Sequence, residues 1–206
     1  MKKILIADDH YIVRTGLITL IKEESMQVEI DECRDGNDTW QKVQANEYDL
    51  LILDISMPYT DSFTLLKNIF ALRPDQKVLI LTMNSEDVYA KKYLKLGVKG
   101  FINKEEPPSE ISKAIANIMD NRKYLSAKMR DTLTREALEG KTENPFENLS
   151  IRELEIMNHL IDGKNVSDIA TLLSVHISTI STHKANIMQK LGVTNIIELS
   201  KMVHMF

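Results

Sequence analysis

Apolar runs and amphipathic stretches alternate along the first 120 residues. Short apolar runs predict strands near residues 3–7, 27–32, 49–53, 77–82 and 99–102. Between them, apolar positions at three- and four-residue spacing predict helices near 11–23, 37–45, 62–72, 86–95 and 109–119. The strongest such pattern is Phe63, Leu65, Leu66, Ile69, Phe70 and Leu72. Gly36, Gly97 and Gly100 punctuate the joins, and Pro74 ends the helix before it. Strands alternating with helices of this length imply one α/β doubly wound domain over residues 1–120, its five-stranded parallel sheet covered on both faces.

The pattern then changes. Residues 121–147 predict a linker, partly helical, with a polar helix over Ser126–Glu139 and a turn-rich stretch over Gly140–Pro145. Residues 148–206 predict a second, all-α domain of four helices. Ser150-Ile151-Arg152-Glu153 is a capping box, in which Ser and Glu reciprocally satisfy free backbone N–H groups. Leu154, Ile156, Met157, Leu160 and Ile161 line one face of that helix, and Gly163 ends it. A short helix fits Ser167–Leu173, then a turn through Ser174-Val175-His176, a longer helix over Ser178–Leu191 closed by Gly192, and a fourth opening at Asn195. Two helices joined by a tight turn and backed by scaffold helices suit a helix-turn-helix unit.

Composition narrows the class. The chain has 206 residues, 43% apolar and 27% charged, ordinary for a soluble globular protein. No apolar run reaches the roughly 18 residues of a membrane span, and Met1-Lys2-Lys3-Ile4 does not resemble a signal peptide. Cys33 is the only cysteine, which removes intrachain disulfides and cysteine metal sites and leads us to expect a reduced, cytoplasmic setting. Residues 1–120 carry 15 Lys/Arg against 20 Asp/Glu, and residues 145–206 carry 5 against 6. A nucleic-acid binder is usually basic, so any DNA contact by the second domain is expected to use few cations.

Four of the predicted strands end in polar chemistry. The first, Ile4-Leu5-Ile6-Ala7, runs into Asp8-Asp9, and Leu51-Ile52-Leu53 runs into Asp54. Leu79-Ile80-Leu81 ends in Thr82, and Gly100-Phe101-Ile102-Asn103 is followed by Lys104. Ligands of open α/β sheets bind at the C-terminal strand edge. Three carboxylates there repel one another unless a cation sits among them. The set suits phosphorylation of a carboxylate: Asp54 as nucleophile, Asp8 and Asp9 holding Mg²⁺, Thr82 hydrogen-bonding the new phosphoryl group and Lys104 pairing with it. His10 is expected to start a helix, and Cys33 to be a small buried hydrophobe.

The acidic pair, Asp54, the Met57-Pro58 turn, Thr82, Phe101 and Lys104, in this order and spacing, resemble the receiver domain of bacterial two-component response regulators. The resemblance implies a flavodoxin-like fold and phosphotransfer from a histidine kinase. It also implies a Ser56 backbone carbonyl among the Mg²⁺ ligands, and a switch in which Thr82 moves towards the phosphate while Phe101 turns inward. Ser56 and Asn84 stand where the family tunes phosphate lifetime. Departures from the family pattern are Asp61-Ser62 after the Met-Pro turn, with Ser62 expected to cap the next helix, Met83 after the threonine, and Glu105 after the lysine.

Residues 149–202 resemble the LuxR-type helix-turn-helix domain of the NarL/FixJ class. The resemblance is carried by Leu149–Glu155, Asp168-Ile169-Ala170, Ser178–His183, Asn186-Ile187, Lys190-Leu191-Gly192 and Glu198-Leu199. It implies a recognition helix over residues 178–191 entering the major groove. Candidate DNA contacts are Ser178, Ser181, Thr182, Lys184, Ala185 and Lys190, with Lys164 and Asn165 anchoring the backbone before the second helix. Ser181 and Ile196 replace basic residues common in the family, and His183 is expected to be structural.

The sequence is thus identified as a phosphorylation-dependent DNA-binding transcriptional regulator, expected to bind a two-fold promoter site as a homodimer once phosphorylated. It is expected to be no enzyme beyond slow self-phosphorylation and loss of its own phosphoryl group. Two other readings stay open: a regulator acting mainly through protein partners or heterodimers, and a phosphohydrolase with an aspartyl intermediate.

Overall fold

The computed structural model describes residues 1–23, 27–139 and 144–204. Every residue of β3 (Leu50–Leu53) and β4 (Val78–Thr82) is buried, so both strands must lie inside a sheet covered on both faces. They do: the parallel order is β2-β1-β3-β4-β5, with β1 over Lys2–Ala7, β2 over Val28–Cys33 and β5 over Gly100–Asn103. The edge strand β2 keeps Glu29 and Asp31 near solvent, where Lys3 pairs with both. Helices α1 (Tyr11–Glu23), α2 (Gly36–Ala45), α3 (Ser62–Leu72), α4 (Glu86–Leu96) and α5 (Pro108–Met119) connect the strands. The predicted elements agree with these to within a residue or so.

Register sets the functional edge. Ala7 is opposite Leu53, and the Asp54 N–H bonds the Ala7 carbonyl at 2.8 Å, so Asp8 and Asp54 leave neighbouring strands side by side. Thr82 is opposite Asn103, and the Lys104 N–H bonds the Thr82 carbonyl at 2.9 Å. The chain reverses its winding between β1 and β3, the position at which such sheets open a crevice.

Beyond α6 (Ala127–Glu139) and a 3-10 turn over Pro145–Asn148 come α7 (Ile151–Ile161), α8 (Val166–Leu172), α9 (Ile177–Leu191) and α10 (Ile196–His204). The capping box forms: Ser150 Oγ accepts from the Glu153 N–H at 3.2 Å, and Glu153 accepts from the Ser150 N–H at 2.7 Å. Gly192 ends α9 in the left-handed region, φ 66°, which costs a glycine nothing. Leu154, Met157, Leu160, Ile169, Ile180, Ile187, Leu191 and Leu199 close the core of this unit.

Helix α6, within the stretch expected to link the two domains, is strapped along α4. Met129 is buried, Ser126 Oγ donates to Glu86 at 2.6 Å, and Lys128 and Lys91 pair with Asp87 and Glu136. Residues 140–143 of the turn-rich stretch lie outside the described residues. The helical unit in turn docks on α4. Tyr89 donates to the Leu154 carbonyl at 3.2 Å, Lys92 to the Glu147 carbonyl at 2.9 Å, and one hydrophobic core runs from Val88, Tyr89 and Tyr93 into α7.

Candidate functional site at the C-terminal sheet edge

Asp8 and Asp54, each 2% exposed, are charged groups that burial penalises unless they are paired. The pairing cation is Lys104, whose Nζ stands 2.7 Å from Asp8 Oδ2 and 2.6 Å from Asp54 Oδ2. Burial works against the lysine's charge, but Asp54 and Asp8 outweigh it and hold the ammonium above its ordinary value. The other Asp54 oxygen accepts the Ser56 N–H at 2.9 Å. Buried Arg14, which sequence reasoning passed over, donates to the Asp8 carbonyl at 2.8 Å and pairs with Glu32 at 2.9 Å, fixing the turn that aims the acids. Its place on an otherwise apolar helix face was the available signal.

Asp8, Asp9, His10 and Asp54 each offer a ligand atom within 4.8 Å of the others. Asp9 Oδ1 is buried without a hydrogen bond, 3.1 Å from His10 Nδ1. An oxygen-rich, net-negative cluster with an unsatisfied carboxylate oxygen fits a hard divalent cation. His10 does begin the first connection, its N–H on Asp8 Oδ1 at 2.8 Å, yet its ring also belongs to this cluster.

Thr82 is wholly buried, its hydroxyl 3.5 Å from Ser56 Oγ and 3.4 Å from the Asn84 N–H. Phe101 is 1% exposed, with its ring tilted 6.1 Å from that of Tyr93, so the inward position implied for a switched state is already taken. Ser62 does not cap α3 as expected. Asp61 does, accepting from the Thr64 N–H at 2.9 Å, while buried Ser62 donates to the Ile55 carbonyl at 2.9 Å. Cys33 is fully buried, and burial pushes its thiol up to about 12, the behaviour of an inert hydrophobe.

Sequence reasoning missed what closes over this edge. Asn84 donates to Ser56 Oγ at 2.9 Å and accepts from Asn158 of α7 at 3.1 Å. Arg152 of α7 reaches Asp61 at 2.8 Å and Glu155 at 2.7 Å. Burial, then Asp61, raises the Glu155 carboxyl to about 7 against the pull of Arg152 and the Ser62 N–H. Burial and Lys164 lower His159 to about 4.

The second candidate surface is α9. Ser178, Ser181, Thr182 and Ala185 are exposed, as is Ile177, so docking leaves the N-terminal half of this helix open. Ser181 and Thr182 turn their hydroxyls to the carbonyls of Ile177 and Ser178. Lys184 is half-buried. Lys190 spends its ammonium on Glu153 at 2.8 Å, Lys164 lies 3.5 Å from Asp162, and Asn165 caps α8 through the Asp168 N–H at 2.9 Å. His183 is half-buried, its Nδ1 without a partner.

Comparison with known proteins agrees along the whole chain. Residues 4–116 match the response regulator receiver domain, and residues 147–203 match the luxR family of bacterial regulatory proteins. The chain is 37% identical over 205 residues to the oxygen regulatory protein NreC of Staphylococcus carnosus, covering 96% of this chain and 94% of that one. Against NreC of Staphylococcus aureus the identity is 34%, with the same coverage. Among solved structures, RcsB of Salmonella typhimurium, studied for conformational dynamism in DNA interaction, superposes with a TM-score of 0.80 at 29% identity, covering 100% of this chain and 98% of that one. RcsB of Salmonella enterica serovar Typhimurium, bound to promoter rprA in the presence of the phosphomimetic BeF3⁻, gives 0.77 at 28% identity over the full length of both chains.

Proposed function

Since the chain belongs to the NarL/FixJ-class response regulators, which join a receiver domain to a luxR-family domain, we propose that Asp54 is the phosphoacceptor through which it responds to a histidine kinase. It is a phosphorylation-dependent DNA-binding transcriptional regulator of a two-component system. The observation that carries the assignment of Asp54 is its pairing with Lys104 beside Asp8 at the sheet edge. No helix among the described residues is long and apolar enough to cross a membrane, which is compatible with action in the cytoplasm.

Asp8, Asp9, Asp54 and the Ser56 carbonyl would hold Mg²⁺, which, once bound, neutralises charge on the donor phosphoryl group. The protein's own groups do the rest. Lys104, 2.6 Å from Asp54, is placed to pair with the phosphoryl oxygens, which add about −1.5 to −2 of charge. Thr82, bonded only at long range, has a hydroxyl to give them. Moving it disturbs the Asn84 N–H, and Asn84 is the residue that Asn158 grips. Phosphorylation therefore loosens α7 and frees the helical unit to pair on a two-fold promoter site. The chain is not an enzyme beyond acquiring and losing its own phosphoryl group.

A second reading, action mainly through protein partners, is favoured by the engagement of Lys190 with Glu153, which leaves α9 few free cations. Salt titration on promoter fragments separates the two, since the partner reading allows no salt-sensitive, sequence-selective binding. For the first, Asp54→Asn should abolish labelling by a small phosphodonor with Mg²⁺. Stoichiometric labelling of that variant would sink the assignment.

A further inference from the structure

Docking places the helical unit over the phosphorylation edge and leaves the recognition helix open, the reverse of what concealment of a DNA-binding surface requires. The contacts from α7 fall on the two loops that flank Asp54. Arg152 holds Asp61 beyond β3, and Asn158 holds Asn84 beyond β4. Between α7 and Asp54 remains a cavity of about 610 Å³, lined by Asp54, Ser56 and Lys104 on one side and by Glu155, Asn158 and His159 on the other.

We infer that the docked domain selects the class of phosphodonor, admitting small phosphodonors to Asp54 and shutting out phosphohistidine carried on a protein. The inference rests on the reading of Asp54 as phosphoacceptor. A volume of this size lies within the range of small-molecule pockets, about 300–1,000 Å³. A donor protein is different. A histidine side chain is short, so its own backbone must come up against the mouth of the site, and a single helix with its side chains is about 10–12 Å across. That place is held by α7. The chemistry at the acceptor is the same for both donors. A carboxylate oxygen of Asp54 forms the new O–P bond as the donor's P–N bond breaks. The nitrogen leaves with the electron pair and takes a proton from water, as the neutral histidine or as ammonia. Access alone differs, so transfer from a protein donor is scaled by the undocked fraction.

The test compares two rates on the full chain with Mg²⁺ present: labelling by phosphoramidate, and labelling by an autophosphorylated histidine-kinase core that labels the wild-type chain. Arg152→Gln with Asn158→Ala breaks both contacts, and Tyr89→Phe separately weakens the seam at the Leu154 carbonyl. The kinase rate should rise roughly tenfold in the double variant and less in Tyr89→Phe, with the phosphoramidate rate changing by less than about twofold. An unchanged ratio of the two rates in both variants overturns the inference while leaving Asp54 as acceptor. Labelling of Asp54→Asn equal to that of the wild type brings down the acceptor assignment itself.

Discussion

The acidic sheet edge and the face of α9 are both functional surfaces, yet the chain specifies them very differently. At the edge, Asp8, Asp54 and Lys104 are withdrawn from water and must satisfy one another, so each side chain constrains the next. On the N-terminal half of α9 the hydroxyls of Ser181 and Thr182 lie on exposed residues and bond only their own helix. A buried charge declares its partner inside the molecule. An exposed one leaves that choice to whatever binds.

The sharpest way to break this contrast is Lys104→Ala. It strands two buried carboxylates, and the expected loss in chelator is about 3 kcal/mol or more of unfolding free energy, partly restored by Mg²⁺. Urea melts with and without the cation read it, and a loss below about 1 kcal/mol would show that water, rather than Lys104, supports the edge. The seam between the two surfaces should respond less strongly, through pH. Glu155 titrates near 7 when buried against Asp61, but near 4.5 when released, so its support for docking is full below about 4.5 and is lost as pH rises through 7. His159, lowered from 6.5 to about 4 by burial and then by Lys164 and Arg152 against the pull of Asp162, acts oppositely, its contribution vanishing as pH falls through that interval. Above pH 6.5 only Glu155 is left to titrate of these two. Interdomain distance, measured by energy transfer between labels, should increase from pH 6.5 to 8 in the wild type and stay level in Glu155→Gln.

The smallest effect separates the sequence expectation for Lys190 from its observed place. If its ammonium belongs to Glu153, Lys190→Ala costs the helical unit about 0.5 kcal/mol, discounted for solvent screening, and leaves the salt dependence of DNA binding alone. A slope shallower by about 0.9 would instead count Lys190 as one phosphate contact.

What the sequence conveyed follows the same division. Strands, helices and the capping box were legible because their signals are local: a period, a cap three residues from its partner, a glycine at a join. The acidic edge was legible because parallel strands deliver their ends to one place. Asp61 outranked Ser62 as the cap of α3 through a choice between neighbours that only the geometry of Thr64 decides. The seam was not legible. Arg152 with Asp61 and Asn158 with Asn84 join residues of separate units, and neither pair leaves a periodic trace. Lys190 looked like an exposed helix cation because Glu153, its partner, is 37 residues away.

The strap along α4 has a consequence for the strength that the seam requires. With α6 held against α4, and Asn144 donating to the Asp87 carbonyl at 3.1 Å, the released domain cannot travel far from its seat. Short connections of this kind give effective concentrations of the order of millimolar. A contact with a dissociation constant of about a tenth of a millimolar, weak between separate molecules, is therefore enough to keep the two halves together about nine-tenths of the time. Poised so near balance, the molecule can be tipped tenfold by about 1.4 kcal/mol, roughly what one or two hydrogen bonds contribute.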